Sequence, residues 1–193
     1  MASVSRPRNV GDLRKAELRG DRPDFLFFWG HRPQRDGGIG PGCLSQWWPA
    51  PFRVGGVTYP TAEHFMMAGK ARLFGDEGMA SRIIEASSPG DAKALGRAVR
   101  GYDEKLWVAS RYAIVVEGNI AKFGQHPDLL AYLAATAGRV LVEASPADRV
   151  WGIGLAAGDS RAGWPSQWEG LNLLGFALMD VRERLAGETR ASS

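Results

Sequence analysis

The sequence predicts a single compact α+β domain that is predominantly helical, with a small β-sheet and a β-hairpin. Its 193 residues, of which 45% are hydrophobic and seven are tryptophan, suit one domain with a sizeable core. Short apolar runs bounded by glycine and proline predict strands, while repeated N-cap signals between residues 61 and 135 predict helices. No internal repeat is found, and no apolar run approaches the about 20 residues that cross a membrane.

Charge separates a basic N-terminal segment from a neutral remainder. Residues 1–22 hold six basic and three acidic side chains, and the rest of the chain holds eighteen of each. We therefore expect a disordered basic tail at 1–22, a folded domain at 23–186 and a frayed C-terminus at 187–193. A neutral globule lacks the basic face of a general nucleic-acid backbone binder, although a local basic pocket stays compatible with this charge.

The first part of the domain reads as strands and loops. Phe25-Leu26-Phe27-Phe28-Trp29 is a short continuous apolar run, which predicts a buried strand. Residues 31–42 are rich in glycine and proline and predict a loop. Residues 52–54 and 57–59 flank Gly55-Gly56, which is the signal of a β-hairpin with a two-residue turn.

Further along, the chain reads mainly as helix. Capping serine or aspartate residues and helix-favouring composition predict helices over 76–86, from Ser88 onward, from Asp103 to about Phe123, and over 127–135. Residues 139–143 predict a strand. A final amphipathic helix is expected from Asn172 to Leu185, with inward-facing Leu174, Ala177, Leu178 and Val181.

The helix that follows the hairpin carries an unusual pair of charges. Thr61 is its predicted N-cap, after Pro60. At about 100° per residue, one stripe holds Glu63, Met66, Met67, Lys70 and Phe74. A charge on an apolar stripe is costly unless it is paired or lines a cleft. The alternative is that Glu63 only complements the helix dipole and that the Lys70 amine reaches out to solvent.

Several classes of chemistry find no support in the sequence. The single cysteine, Cys43, reads as a small buried apolar residue, and the N-terminus lacks the apolar region of a signal peptide, so we expect a reducing, cytoplasmic setting. The three histidines show no metal-ligand spacing. Gly152-x-Gly154 with Gly158 only approximates a dinucleotide fingerprint. No metal and no cofactor is therefore predicted.

Polar and aromatic residues cluster where predicted loops begin and end. They are Trp29, His31, Ser45, Gln46, Trp107, Trp151, Asp159 and Asn172. Tryptophan faces, amide groups and one charged pair would suit a planar base or ring. The alternatives are core packing for each tryptophan, an N-cap for Asn172 and a turn for Asp159.

The segment Tyr59-Pro60-Thr61-Ala62-Glu63-His64-Phe65, with Lys70 downstream, resembles the signature of the NADAR family of YbiA-like proteins. Further matches follow in the family's order over about residues 25–185: Ser88-Pro89, Leu95-Gly96-Arg97, Trp107, Asn119-x-x-Lys122-Phe123, Leu141-Val142-Glu143, Asp148-x-x-Trp151-Gly152 and Asn172-x-Leu174-Gly175. The resemblance implies a small, mostly helical α+β fold and cleavage of N-glycosidic bonds.

Two substrate classes are implied by the resemblance. One is ADP-ribose attached to guanine in nucleic acid, which would bring contact with DNA or RNA. The other is the phosphorylated ribosylamino-pyrimidine intermediates of riboflavin biosynthesis. A module that binds ADP-ribose or a nucleotide without cleaving it is a further reading. An interaction protein is another, because Trp164 and Trp168 lie in a loop that we expect to be exposed.

The resemblance also implies roles for individual residues. Glu63 matches the family's essential acid and Lys70 its helix lysine. Trp107, Trp151 and Asn172 match its pocket positions. The other expected substrate contacts, which do not come from the family's pocket positions, are Trp29, His31, Ser45, Gly152 and Asp159. The chain departs from the family at Ser45-Gln46-Trp47, where the family has Ser-Asn-Phe, and at 155–170, which replaces a shorter glycine-rich loop.

A mechanism follows from these assignments. Glu63 would move protons at the glycosidic bond. Lys70 would attack the opened sugar at C1 and form a Schiff base that water resolves, since an apolar cleft favours the neutral amine. In a milder version Lys70 only contacts a phosphate or hydroxyl group.

Overall fold

The computed structural model describes residues 7–191, without the side chains of residues 188–191. The predicted α+β fold, mostly helical with a small sheet and a hairpin, is confirmed. Within the described residues, no helix is long and apolar enough to cross a membrane. The elements are α1 Val10–Leu18, β1 Phe25–Phe28, β2 Phe52–Val54, β3 Val57–Tyr59, α2 Ala62–Leu73, α3 Glu77–Ile84, α4 Pro89–Arg97, α5 Glu104–Gly124, α6 Pro127–Ala135, β4 Val140–Glu143 and α7 Leu173–Ala191, with short 3-10 helices at Pro41–Leu44 and Pro165–Gln167.

The described chain divides into two units. The first contains residues 7–29 and 136–180, and the second contains residues 30–135 and 181–191. α1, β1 and β4 belong to the first unit, whereas the hairpin and α2 to α6 belong to the second.

The first unit is built on a parallel pair of strands. β1 pairs with β4 so that Phe25 lies opposite Val140 and Phe28 opposite Glu143. Leu141 and Val142 are fully buried, which agrees with the near-continuous apolar sequence that parallel strands carry. The predicted strands at 25–29 and 139–143 are confirmed to within one residue.

Helix α1 lies inside the segment that we expected to be disordered. The Asn9 side chain caps it by accepting from the backbone N–H of Asp12, and Leu13 is fully buried. Glu17 accepts hydrogen bonds from the backbone and the hydroxyl of Ser166, at 2.9 and 2.8 Å. Val10, Leu13 and Ala16 are spaced three residues apart and form an apolar stripe. The arginine-rich composition of the segment concealed both this stripe and the Asn9 cap. Residues 1–6 lie outside the described part of the chain.

The loop at 155–170 is less exposed than the sequence indicated. Trp168 is only 4% exposed; its indole N–H donates to the carbonyl of Ala162, and its ring lies 5.7 Å from that of Phe25. The expectation that Trp168 is exposed is wrong, because the ring finds a packing partner in β1. Trp164 does reach solvent, with Arg22 stacked 4.0 Å above its ring.

Helix α7 is longer than predicted. It continues to Ala191, past Leu185, and residues 192–193 lie outside the described chain. The predicted inward-facing residues are confirmed, since Leu174, Ala177, Leu178 and Val181 are all fully buried.

The second unit begins with the hairpin and leads into α2. Gly55 and Gly56 have φ of 56° and 81°, the left-handed pair that a tight two-residue turn requires. Phe52 and Tyr59 face each other across the strands, and the Tyr59 ring meets Phe65 of α2 edge-on at 4.9 Å. This aromatic cluster fixes the direction in which the chain enters α2.

Helix α2 is enclosed by α4 on one side and α5 on the other. A Cβ on Gly96 of α4 would collide with the side chain of Met67. On α5, a Cβ on Gly118 would lie 2.6 Å from the Phe65 ring, and Ile114 lies against Gly69 in the same way. Phe65 and Gly69 of α2 thus lie opposite Gly118 and Ile114 of α5, respectively, so α2 and α5 are antiparallel. Ile114 and Gly118 lie on the α2-facing side of α5. This explains why residues 62–68 are all buried, although the sequence predicted one apolar stripe.

Candidate active site

The N-terminus of α2 is held by a network around His64. The Thr61 hydroxyl accepts from the backbone N–H of His64, which confirms Thr61 as the N-cap. Nδ1 of His64 lies 2.8 Å from Thr61 Oγ1, and Nε2 lies 3.1 Å from the carbonyl oxygen of Ala86. Because a carbonyl can only accept, Nε2 carries the proton and Nδ1 accepts from the hydroxyl. Burial lowers the pKa of His64, so the neutral ring serves as an anchor.

Glu63 lies in the first turn of α2 and is 3% exposed. Its backbone N–H donates to the carbonyl of Gln46 at 3.0 Å, which ties the helix to the segment before the hairpin. The helix dipole favours a carboxylate at this position. An enclosed carboxylate at a fixed place is suited to proton transfer.

Lys70 follows Glu63 by two turns, and its amine lies among polar and aromatic groups. Nζ donates to the carbonyl of Gly96 at 2.8 Å and lies 4.5 Å from the Tyr102 ring and 5.6 Å from the Trp107 ring. The side chain is half-buried, and burial lowers the pKa of Lys70. A neutral amine can donate to Gly96 and keep its lone pair for an electrophile.

The structure therefore brings Lys70 together with Trp107, as the predicted site requires. Trp107 is 8% exposed. Because its ring contacts Lys70 of α2, Trp107 also lies on the α2-facing side of α5. Tyr102 is 47% exposed and is braced by Phe74, whose ring it meets edge-on at 5.4 Å.

A second lysine holds the segment that contains Ser45. Lys122 is fully buried, and its Nζ donates to the carbonyls of Cys43 and Ser45 at 2.7 and 2.9 Å. Desolvation lowers the pKa of Lys122 to about 7. Cys43 is also fully buried, and burial raises its pKa to about 11, as expected of a packed thiol rather than a nucleophile.

A buried amide pair connects this segment to α5. Asn119 donates from Nδ2 to Gln46 Oε1 at 2.7 Å and to the carbonyl of Val115 at 2.8 Å. Both hydrogens of Nδ2 are thereby used, and the Val115 carbonyl, which can only accept, places the Asn119 nitrogen beside it. Gln46 is 6% exposed and stands at the position where the chain departs from the family pattern.

Ser45 and His31 are placed by Trp47. The Ser45 hydroxyl accepts from the backbone N–H of Trp47 at 3.1 Å, and the His31 ring lies 5.6 Å from the Trp47 ring. His31 is exposed, whereas Ser45 is half-buried. Both stay predictions as substrate contacts.

In the first unit, Trp29 and Asp159 lie at the surface or in ion pairs. Trp29 follows β1 and is 65% exposed. Both carboxylate oxygens of Asp159 accept from the Arg161 guanidinium, at 3.0 and 2.8 Å, and these bonds lower the pKa of Asp159. As a hydroxyl contact, Asp159 would have to share its oxygens with Arg161.

Trp151, Gly152 and Asn172 lie in a tightly bonded backbone arrangement. Asn172 is fully buried with φ of 51°; its Oδ1 accepts from the backbone N–H of Glu143, and its Nδ2 donates to the carbonyl of Leu141. The backbone N–H of Asn172 also donates to the carbonyl of Gly152. A Cβ on Gly152 would lie only 2.9 Å from the backbone oxygen of Glu143, so this position has no room for a side chain. Asn172 and Gly152 therefore position β4 and its neighbours, and their contact with substrate stays a prediction.

Comparison with known proteins identifies the family and the fold of this chain. Residues 27–186 match the NADAR domain. This chain belongs to the NADAR domain family. N-glycosidase R617 of Acanthamoeba polyphaga mimivirus is 41% identical over 164 residues, which cover 82% of this chain and 95% of the viral protein. N-glycosidase YbiA of Escherichia coli K12 is 36% identical over 147 residues, which cover 76% of this chain and 83% of YbiA.

The solved structure of E. coli YbiA has the same fold. It matches with a TM-score of 0.69 at 32% identity and covers 87% of this chain and 88% of YbiA. A third relative, the chloroplastic riboflavin biosynthesis protein PYRR of Zea mays, is 36% identical over 144 residues, 70% of this chain but only 21% of PYRR. Two of these NADAR relatives are N-glycosidases by name, so the prediction of an N-glycosidase is confirmed at the level of the family.

Several residues around the NADAR helix α2 were not predicted as part of the site. Tyr102 gave no signal because it precedes the N-cap of α5 as an isolated aromatic residue in a loop. Gln46 was noticed among the polar residues at loop ends but was not assigned to the site, and Asn119 and Lys122 were noticed only as parts of family motifs. The signal that could have identified Lys122 is its charge within an otherwise apolar helix face.

Proposed function

We propose that this NADAR-family chain hydrolyses the N-glycosidic bond between a ribosyl group and a base, with Glu63 as the proton-transfer residue and Lys70 as the amine nucleophile. The observation that supports this most is the setting of the Lys70 amine. It donates to one carbonyl, lies beside two aromatic rings and has a lowered pKa. A neutral amine in such a setting attacks an aldehyde-level carbon readily.

The proposed reaction balances without any further reactant except water. The glycosidic nitrogen opens the sugar ring: the bond from C1 to the ring oxygen breaks, water gives that oxygen a proton through the Glu63 carboxylate, and C1 becomes an iminium carbon. Lys70 Nζ adds to C1, and a proton passes from Nζ to the base nitrogen through Glu63. The bond between C1 and the base then breaks, and the base leaves. Water adds to the resulting Schiff base, which releases the sugar aldehyde and the free amine.

The first candidate substrate is ADP-ribose on guanine in nucleic acid, as the family resemblance implies. Three of the four arginines at residues 7–22 contact other residues of the first unit. Arg14 donates to the carbonyls of Pro165 and Trp168, Arg19 pairs with Asp21, and Arg22 stacks on Trp164. Under this proposal, recognition depends on the ADP-ribosyl group more than on the nucleic-acid backbone.

The second candidate is a ribosylamino-pyrimidine phosphate. The relative from Zea mays supports it, since its name refers to riboflavin biosynthesis. Both candidates carry a phosphorylated ribosyl group, so the same Glu63 and Lys70 chemistry serves either of them.

A parallel turnover assay tests the proposal. The protein is offered an ADP-ribosylated guanine oligonucleotide and, separately, a ribosylamino-pyrimidine phosphate. Release of ADP-ribose supports the first candidate, and cleavage of only the pyrimidine compound supports the second. If the protein binds ADP-ribose but cleaves neither compound, it is a non-catalytic binding module and the hydrolase proposal is wrong.

The control for this assay is the pair Glu63→Gln and Glu77→Gln. Loss of the proton-transfer group in Glu63→Gln should lower turnover by roughly a hundredfold to ten-thousandfold. Glu77 is an exposed acid at the start of α3, so Glu77→Gln should keep turnover near the unaltered value. Equal activity in the two variants would contradict the role of Glu63.

A further inference from the structure

Arg111 is a half-buried cation whose charge no other described residue compensates. It lies in the middle of α5, and its Nε is buried without a hydrogen-bond partner among residues 7–191. A buried donor of a charged group that finds no acceptor is costly and is rarely kept without a function.

Helix geometry places Arg111 near Trp107, whose ring the Lys70 amine contacts. At about 100° per residue, Arg111 is about 40° around α5 from Trp107 and about 60° from Ile114. Ile114 lies against Gly69 of α2, and Trp107 lies against Lys70, so Arg111 is between these two contacts along the axis of α5 and about 40–60° to one side of them around the helix. Helical side chains lean toward the N-terminus of their own helix, which directs the guanidinium toward the Trp107 end.

The neighbours of Arg111 on its own helix supply no carboxylate. The positions one turn away on α5 are Trp107, Val108, Ile114 and Val115. On α2, Lys70 contacts the Trp107 ring, and the residue level with Arg111 is Arg72, so both are basic. Two basic side chains beside an aromatic wall, with no acid to balance Arg111, form a place where an anionic group would be stabilised.

We propose that Arg111 binds the phosphoryl group of the substrate. A guanidinium offers two parallel N–H donors to a phosphate, and such charge-assisted pairs are the strong ones among hydrogen bonds. The inference rests on the proposed function, because it places the phosphoryl group next to the amine that attacks the sugar. It assigns a residue to the phosphoryl group that both candidate substrates carry, and it predicts that free nucleosides bind less tightly.

Calorimetric titration with ribose 5-phosphate, ribose and inorganic phosphate tests this role at constant ionic strength. The protein should bind ribose 5-phosphate at least about tenfold more tightly than ribose, the range that one charge-assisted contact supplies. Arg111→Met should remove this preference without changing the affinity for ribose, and Arg111→Lys should keep part of it. Arg82→Met, which removes an exposed arginine of α3, is the matched control and should bind like the unaltered protein.

Two results would overturn the proposal. One is that Arg111→Met binds ribose 5-phosphate as tightly as the unaltered protein, or no more weakly than Arg82→Met does. The other is a urea midpoint that is lower for both Arg111 variants than for the unaltered protein, which would mean that Arg111 has a structural role. Under the proposal, Arg111→Met should be at least as stable as the unaltered protein, because it removes a cation that has no partner in the described part of the chain.

The titration separates this proposal from the hydrolase proposal. In Glu63→Gln, which cannot turn over, the preference for ribose 5-phosphate should persist. A protein that cleaves neither test substrate but keeps an Arg111-dependent phosphate preference would contradict the hydrolase proposal and support the phosphoryl site. Turnover by a protein that shows no preference for ribose 5-phosphate over ribose would support the hydrolase proposal and contradict the phosphoryl site.

Discussion

At Lys70, burial and aromatic contacts act on the amine in opposite directions. The Tyr102 face, 4.5 Å away, favours the charged form through a cation–π interaction. Removal from water favours the neutral form, and it dominates because the pKa of Lys70 is lowered. The Lys70 amine therefore loses its proton at a lower pH than an ordinary lysine does, and the neutral form is the nucleophile.

The pH dependence of turnover should show this. The neutral amine is the reactive form, so kcat/KM should rise with pH and level off as the pH passes the pKa of Lys70 in the folded protein. Because burial lowers that pKa below the ordinary value of 10.5, the plateau should begin below pH 10.5. A pH–rate profile in overlapping buffers measures it. A rate that is flat with pH over the whole alkaline range would contradict an amine nucleophile.

A covalent intermediate can be trapped directly. With substrate and cyanoborohydride, the Schiff base should be reduced to a stable amine, and mass spectrometry should place the added ribosyl mass on Lys70. Lys70→Arg keeps the positive charge but has no amine that can form a Schiff base, so it should give neither adduct nor turnover. An active Lys70→Arg variant would favour the milder role, in which Lys70 only contacts a phosphate or hydroxyl group.

At the scale of single elements, the packing of α4 on α2 should be sensitive to one methyl group. A Cβ at Gly96 would collide with Met67, and the Gly96 carbonyl accepts from Lys70. Gly96→Ala should therefore destabilise the fold by roughly 1–3 kcal/mol. Gly78→Ala on α3 meets nothing within 4 Å and should be stabilising by about 0.4–1 kcal/mol. Urea unfolding of both variants checks the contrast, and equal effects would contradict the tight α2–α4 contact.

The elements that could be predicted are those with local signals. Thr61, Ser88 and Asp103 cap α2, α4 and α5 as expected, and Gly55-Gly56 forms the hairpin turn. Each depends on hydrogen bonds or φ values within a few residues. Helix α1 was missed because its cap and its apolar stripe lie within an arginine-rich stretch.

The site was predictable in part, for the same reason. Helical spacing alone predicts that Glu63 and Lys70 lie on the same face of α2. The bond from Lys70 to Gly96 joins residues 26 positions apart, and the pair of Asn119 and Gln46 joins residues 73 apart. Contacts of this kind depend on how helices pack, and a single sequence carries no periodic signal for them.

At the scale of the whole molecule, two buried titratable groups couple stability to pH in opposite senses. Lys122 has a folded-state pKa of about 7 against an ordinary value of 10.5. Between these values the unfolded chain binds more protons, so stability rises with pH. Cys43 has a folded-state pKa of about 11 against 9.0, so the folded chain binds more protons there and stability falls as pH rises through that window.

The free energy of unfolding should therefore increase with pH from about pH 7 to pH 9, where Lys122 contributes and Cys43 does not. Above pH 9 the opposing effect of Cys43 should reduce or reverse this increase. His64 does not disturb this window, because burial lowers its pKa from 6.5. Urea unfolding at half-unit pH steps measures the profile. Lys122→Met should flatten the rise between pH 7 and 9, although it should also lower stability overall, since the carbonyls of Cys43 and Ser45 lose their donor. Cys43→Ala should keep the rise and remove the opposing effect above pH 9. A Lys122→Met variant that keeps the full rise would mean that this lysine stays charged in the folded protein, with its two carbonyl acceptors compensating the cost of burial.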